Sequence, residues 1–347
     1  NSQCLENKDY FLNLKPSKDK KLLDSEFQHT DEIIASIQRK DNLPHLKIQS
    51  MNKIIQLLEI QEYTLQPKEI IEIRRLLEYY ISLNKKIKGK HFELWCQIIK
   101  TYNQLNLVIN KINHVFDESG NIKDNASNNL KTINKSIKTI HKNIEKKIET
   151  ELKRYSNLGY LKDNKIIYKA DKATLPVISS YKNKVKGIVD SYSATGQTSF
   201  MHPFSVLELN NDLNEALISK EKEIRKILKE LTSKIAIEKH LINNINRKIV
   251  YYDTHYTKSL LAIHLNSNTP KFSNQFNLKE AINPLFTLAK KKYVPLNFCS
   301  DNNKTIIISG PNSGGKTIVI KSIGLYSIMA QSGIHVPAKV VNLPVFN

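Results

Sequence analysis

Two long runs of helical periodicity with a short β-like segment between them constrain this chain more than any other feature. From Leu130 the apolar positions fall nearly on a heptad: Ile133, Ile137, Ile140, Ile144, Ile148 and Leu152. Lys and Glu fill the other faces. The segment therefore reads as a solvated helix with one apolar seam, suited to a partner helix. The second run puts Leu207, Leu213, Leu217, Ile224, Ile227, Leu231, Ile235, Ile242, Ile245 and Ile249 at helical spacings. An unbroken run of about forty residues predicts a single rod, about 60 Å long at 1.5 Å per residue. Two rods flanking a small unit predict an antiparallel pair with a tip.

The segment between the rods has a different texture. Lys165-Ile166-Ile167-Tyr168, Leu175-Pro176-Val177-Ile178 and Gly187-Ile188-Val189-Asp190 are short β-like runs, and Gly196 and Pro203 punctuate the end. Lys162, Lys165, Lys169, Lys172, Lys182, Lys184 and Lys186 face only Asp163, Asp171 and Asp190, so the unit is locally basic. Lys182, Lys184 and Lys186 are the candidate phosphate contacts; the competing reading is a solvated β edge protected by lysines. Ahead of the first rod, Ile54, Ile55, Leu57, Leu58, then Ile70, Ile71, Ile73, Leu76, Leu77 and Tyr80, then Trp95, Ile98, Ile99, Tyr102, Leu105 and Val108 mark helical core faces. Phe116-Asp117-Glu118-Ser119-Gly120 breaks that pattern as a turn.

Near the end, Gly310-Pro311-Asn312-Ser313-Gly314-Gly315-Lys316-Thr317 matches the G-x-x-x-x-G-K-[ST] phosphate-binding pattern. It follows the β-branched run Thr305-Ile306-Ile307-Ile308, expected as a strand, and opens a helix expected over 318–331. Glycines let backbone N–H groups approach phosphate oxygens, and the helix N-terminus adds partial positive charge. Lys316 would reach the β- and γ-phosphates of ATP or GTP, and the Thr317 hydroxyl would ligate Mg²⁺. Hydrolysis also needs an acidic residue at the end of another strand. After Lys316 neither Val336-Pro337-Ala338-Lys339-Val340-Val341 nor Leu343-Pro344-Val345-Phe346 ends in a carboxylate. With the chain starting at Asn1, this predicts a piece of a longer protein that hydrolyses nucleotide poorly.

The formal net charge of +20 fits a phosphate-rich partner, although the abundance of Lys, Asn and Ile is also what AT-rich codon usage produces. Cys4, Cys96 and Cys299 are widely spaced and show no metal-binding pattern, as expected of idle thiols in a reducing cytosol. No apolar run is long enough to span a membrane.

The order of parts resembles the MutS family. Residues 310–317 continue as Ile318-Val319-Ile320-Lys321-Ser322-Ile323-Gly324-Leu325 and then Met329-Ala330-Gln331-Ser332-Gly333-Ile334-His335-Val336-Pro337-Ala338. With Ser193-Ala194-Thr195-Gly196-Gln197-Thr198-Ser199-Phe200-Met201-His202-Pro203 and Leu14-Lys15-Pro16-Ser17, they are most similar to the type-two bacterial branch, which lacks the mismatch-recognition domain. Phe116-Asp117-Glu118 matches that domain's wedge only by chance and reads as turn chemistry. Two departures stand out. Ala281-Ile282-Asn283-Pro284-Leu285 replaces a usual Arg-His-Pro, and His202 replaces a carboxylate in Phe-Ile-Glu-Pro.

The resemblance implies a mainly α fold with a small β clamp, followed by the N-terminal part of an α/β P-loop ATPase domain. The divisions are a helical core over 1–125, an ascending lever helix over 126–157, the clamp over 158–203, a returning lever helix over 204–270 and a partial ATPase domain over 271–347. It implies a cytoplasmic homodimer, paired through that domain, which uses ATP and Mg²⁺ to close on branched DNA or on the ribosomal RNA of collided ribosomes. An SMC-type ATPase would put the phosphate loop before its coiled coil. The rival reading is a non-catalytic coiled-coil nucleic-acid-binding module with an incomplete nucleotide fold.

Overall fold

The computed structural model describes residues 6–44, 50–88, 91–169, 172–300, 305–311 and 315–346. The chain is mainly helical with two small sheets, and it divides into two compact units.

The first unit comprises Asn1–Gln61, Lys68–Ile109 and Ile235–Asn347. In chain order its helices are α1 (Glu6–Leu12), α2 (Lys20–Gln38), α3 (Asn52–Leu57), α4 (Pro67–Ile87) and α5 (Glu93–Ile98), followed by α6 (Gln104–Val115), which continues into the second unit. Asp19 caps α2 by accepting from the amides of Lys21 and Leu22, which satisfies two of the donors that a helix start leaves unpaired. In α4, Ile70, Ile73, Leu76, Leu77, Tyr80, Leu83 and Ile87 are buried, at the three-to-four spacing read from the sequence. Trp95 of α5 is fully buried, with its indole N–H donating to the His29 carbonyl at 2.9 Å.

The second unit comprises Glu62–Pro67 and Asn110–Lys234. The turn expected after α6 closes with a bridge between Phe116 and Ile122, and Phe116 is buried. Next come α7 (Asn128–Asn157), β1 (Ile167–Lys169), β2 (Lys172–Ile178), β3 (Gly187–Tyr192), β4 (Thr198–Pro203) and α8 (Phe204–Ala236). The strands form an antiparallel sheet in the order β1-β2-β4-β3. Strand β4, which no apolar run announces, lies between β2 and β3. Helices α7 and α8 run antiparallel: Glu223 accepts from Ser127 and Asn129, whereas Glu151, near the far end of α7, accepts from Ser205. The α7 seam at Ile140, Ile144, Ile148 and Leu152 packs with Val206, Leu209 and Leu213 of α8 and with the sheet.

The unbroken second rod is not observed. Helix α8 ends at Ala236, a turn occupies Ile237 and Glu238, and α9 (Lys239–His264) belongs to the first unit. No Pro or Gly marks this break. Ile235 and Ile242, seven residues apart, are fully buried on one helical stripe, and Ile237, 75% exposed, lies on the opposite face, so the apolar spacing continues through the break.

The chain continues with β5 (Lys271–Phe272), β6 (Asn277–Ala281), α10 (Pro284–Leu288), β7 (Leu296–Cys299), α11 (Lys316–Gln331) and β8 (Val340–Leu343). The sheet order is β5-β8-β6-β7, with β5 and β8 parallel and the other pairs antiparallel. Tyr326, Met329 and Ala330 of α11 share one core with Leu23 and Phe27 of α2 and with Phe272, Leu278, Val341 and Leu343 of the sheet.

Candidate functional site

At the head of α11, Gly310 has φ 149° and Gly315 has φ 78°, backbone that favours glycine over any residue with a Cβ. Gly315 is the N-cap and offers no side chain, and the first intrahelical bond runs from Val319 N to the Gly315 carbonyl. The amides of the first turn therefore have no intrahelical acceptor and carry the positive end of the helix dipole. The Lys316 ammonium folds back over the loop, donating to the Gly310 carbonyl and, at 3.1 Å, to the Pro311 carbonyl. Thr317 is exposed beside it. Asn312, Ser313 and Gly314 lie outside the described residues. The expected helix is present, two residues longer at its start.

The expected strand is not seen. Residues 305–308 belong to neither sheet, and Ile307 is 88% exposed. A β-branched run forms a strand only when a neighbour supplies its ladder bonds. Here the four strands of the sheet pair among themselves. Residues that could hold Mg²⁺ fit only in part: the Thr317 hydroxyl offers one oxygen, and no group of three His, Cys, Asp or Glu among the described residues could hold a metal. A cation would have to arrive with phosphate oxygens.

The rest of α11 is tied into the first unit. Ser322, fully buried, accepts from Asn283 Nδ2 at 2.8 Å, and Asn283 Oδ1 caps α10 by accepting from Leu285 N. So the residue that departs from the family pattern anchors α11. At the C-terminal end, Gln331 Nε2 donates to the carbonyls of Ser17 and Phe346, its Oε1 accepts from Phe346 N, and its own carbonyl accepts from Ser17 N. Gly333 has φ 66°, and a Cβ there would meet Lys258 Nζ at 3.1 Å. Lys258 Nζ donates to Glu26 at 2.8 Å, and His255 Nε2 lies 3.6 Å from the same carboxylate. Burial opposes the Glu26 charge, but these neighbours outweigh it and hold the carboxyl at about 2. Burial pushes His255 below its ordinary value, so the charge facing Glu26 at neutral pH is that of Lys258. His335 Nε2 donates to Asp31 at 2.8 Å.

In the second unit Lys182 and Lys184 lie within a six-residue 3-10 turn, Ser179–Lys184, between β2 and β3, and Lys186 follows it. The turn is pinned to the β3–β4 hairpin, with Ser179 N donating to Gln197 O and Ser179 Oγ to Gly196 O. Lys182 Nζ lies 5.6 Å from the Tyr192 ring centre. Lys184 Nζ lies 5.4 Å from Tyr181 and 5.7 Å from Tyr160, whose rings stack 4.9 Å apart. The Lys186 amide donates to the Tyr155 hydroxyl. His202, where a carboxylate was expected, is buried in β4, donating from Nδ1 to the Ala173 carbonyl of β2 with Nε2 3.4 Å from Asp190.

No family model matches the chain. It is 31% identical over 335 residues, 95% of its own length, to Endonuclease MutS2 of Caldicellulosiruptor bescii. The proteins of that name from Borreliella burgdorferi and Finegoldia magna are 34% and 38% identical over 195 and 185 residues, 56% and 52% of this chain. The chain belongs to the MutS2 branch of the MutS family. It spans 42% of the Caldicellulosiruptor MutS2 and 24% and 23% of the other two.

The family-like segments serve in two ways. Gly310, Pro311 and Thr317 are exposed, whereas Gln331, Gly333 and His335 hold the helix end in place. The hairpin segment is likewise architectural: Ser193 Oγ accepts from Thr198 N, and Gly196 turns at φ 69°. Sequence reasoning counted lysines in this unit and missed Tyr160, Tyr181 and Tyr192. The available signal was aromatic residues interleaved with lysine, from Tyr160 to Tyr192.

Proposed function

We propose that this chain is the nucleotide-binding and nucleic-acid-gripping part of a MutS2-type ATPase. The reading is supported by Lys316 folded over the glycine-turned loop, which puts an ammonium and helix-start amides without intrahelical acceptors at the same end of α11. In this reading ATP enters with Mg²⁺. Its β- and γ-phosphates draw Lys316 off the loop carbonyls, and Thr317 contributes its hydroxyl to the cation. Two copies pair through the ATPase domains, in the cytoplasm, and nucleotide state biases the grip on branched DNA or on ribosomal RNA. The differential affinity of the two states for ATP drives that bias. The relatives' name assigns them endonuclease activity; the part proposed for this chain is binding and the coupling of nucleotide to grip. No helix among the described residues is long and apolar enough to cross a membrane.

A second reading, a nucleic-acid-binding module that holds nucleotide without hydrolysing it, is favoured by residues 305–308 lying outside the sheet. Titrating the chain with a fluorescent ATP analogue and measuring its nucleic-acid affinity with and without nucleotide separates the two. Because neither run after Lys316 ends in a carboxylate, turnover far below about one per second is expected on either reading. Nucleotide that changes the chain's affinity for nucleic acid supports the ATPase part, nucleotide binding without that coupling supports the second reading, and no binding by the wild-type chain refutes both.

A further inference from the structure

We propose that the 3-10 turn and β3 form a stacking site for an unpaired nucleotide, with Tyr192 receiving the base and Lys182 and Lys184 its flanking phosphates. This deepens the nucleic-acid reading above and rests on it.

Three observations combine. Tyr192 is 52% exposed although it sits in a strand, so its ring is presented to solvent rather than to the core. An ammonium lies against that ring, and a second lies against the Tyr160 and Tyr181 rings, so aromatic surface and positive charge alternate across one short turn. The turn is also held rigid: Ile178 N donates to Tyr160 O, Ser179 to Gln197 and Gly196, and Val185 is buried at its end. Lysines that only protected a β edge would need no aromatic partners. Nor does duplex recognition through phosphates need an exposed ring. Alternation of rings and cations on a fixed frame is what single-stranded nucleic acid requires, because every base has a π-face and every linkage a charge. Asp190 is the acidic residue in this strand, and its carboxylate is directed to His202.

The test uses the full chain, fluorescence anisotropy and an oligothymidine of about 15 nucleotides, near the upper end of a single-strand site. Its partners are an abasic strand of equal length, the corresponding oligouridine and a blunt duplex. The abasic strand keeps the phosphates and removes the bases, so it needs no mutant. It is expected to bind about tenfold more weakly than oligothymidine. Tyr192→Ala should produce the same loss on oligothymidine, Tyr192→Phe should restore binding, and Tyr168→Ala, on the opposite edge strand β1, should change nothing. Equal binding of abasic and natural strands overturns the stacking site, as does preference for the duplex. In either case the phosphate-gripping reading survives if changing Lys182, Lys184 and Lys186 to Ala lowers the salt dependence. An unchanged salt slope in that triple variant, or no binding of any strand by the wild-type chain, overturns both. Comparing thymidine and uridine strands shows whether the site distinguishes DNA from RNA.

Discussion

At its C-terminal end α11 is held by Gln331, by the left-handed Gly333 and by the buried Lys258 paired with the half-buried Glu26, whereas its first turn presents a glycine cap, a folded-back lysine and exposed threonine. Both ends belong to the stretch that resembles the MutS family. The difference separates an exposed helix start, proposed above to meet nucleotide, from a helix end tied into the core. Substitutions at one end should change stability and at the other affinity, and each experiment below breaks or sharpens that division.

The largest effect is expected from Glu26→Gln. It strands the Lys258 ammonium, whose side chain is 2% exposed, and should cost about 3–5 kcal/mol in chemical denaturation. The sign of the pH dependence follows from the same pair. Because the folded Glu26 carboxyl is held at about 2, its contribution is present above the ordinary carboxylate range and is lost as pH falls from about 4.5 towards 2. Denaturation midpoints across that acid window should fall more steeply in the wild type than in Glu26→Gln. Parallel curves would remove Glu26 from the anchor.

Lys316→Ala comes next. It deletes a charged contact from an exposed loop, so nucleotide affinity should drop about 10- to 100-fold, the equivalent of about 1.5–3 kcal/mol, with an unchanged melting temperature. A melting shift as large as that of Glu26→Gln would show that the two ends are not separable.

Gln331→Ala leaves the Ser17 and Phe346 carbonyls without their buried donor, and about 1–3 kcal/mol of stability should be lost, with bound-state ATP affinity intact. Gly333→Ala forces a Cβ into left-handed backbone and against Lys258, at a cost of about 1–2 kcal/mol, measured the same way. If either variant weakens nucleotide binding at a temperature where it stays folded, the C-terminal anchor also sets the geometry of the loop.

Periodicity along the sequence, and the residues that interrupt it, determined the buried face of α4, the seam of α7, the turn at Phe116 and the helix α11 that follows the glycine-rich run. Each is a local consequence of residue spacing or of glycine's conformational freedom. Tertiary structure alone decided the rest. The break at Ile237 carries no local signal: neither Pro nor Gly lies in it, and the apolar spacing from Ile235 to Ile242 runs on through it. Strand β4 is polar along much of its length and is a strand because β2 and β3 flank it. Residues 305–308 have ideal strand chemistry and lie outside both sheets, since strand formation needs a neighbour's hydrogen bonds as well as β-branched side chains. Tyr160, Tyr181 and Tyr192 are visibly interleaved with lysines in the sequence, but which ring meets which ammonium is set by the folded turn and sheet, a long-range property that spacing along one chain does not encode.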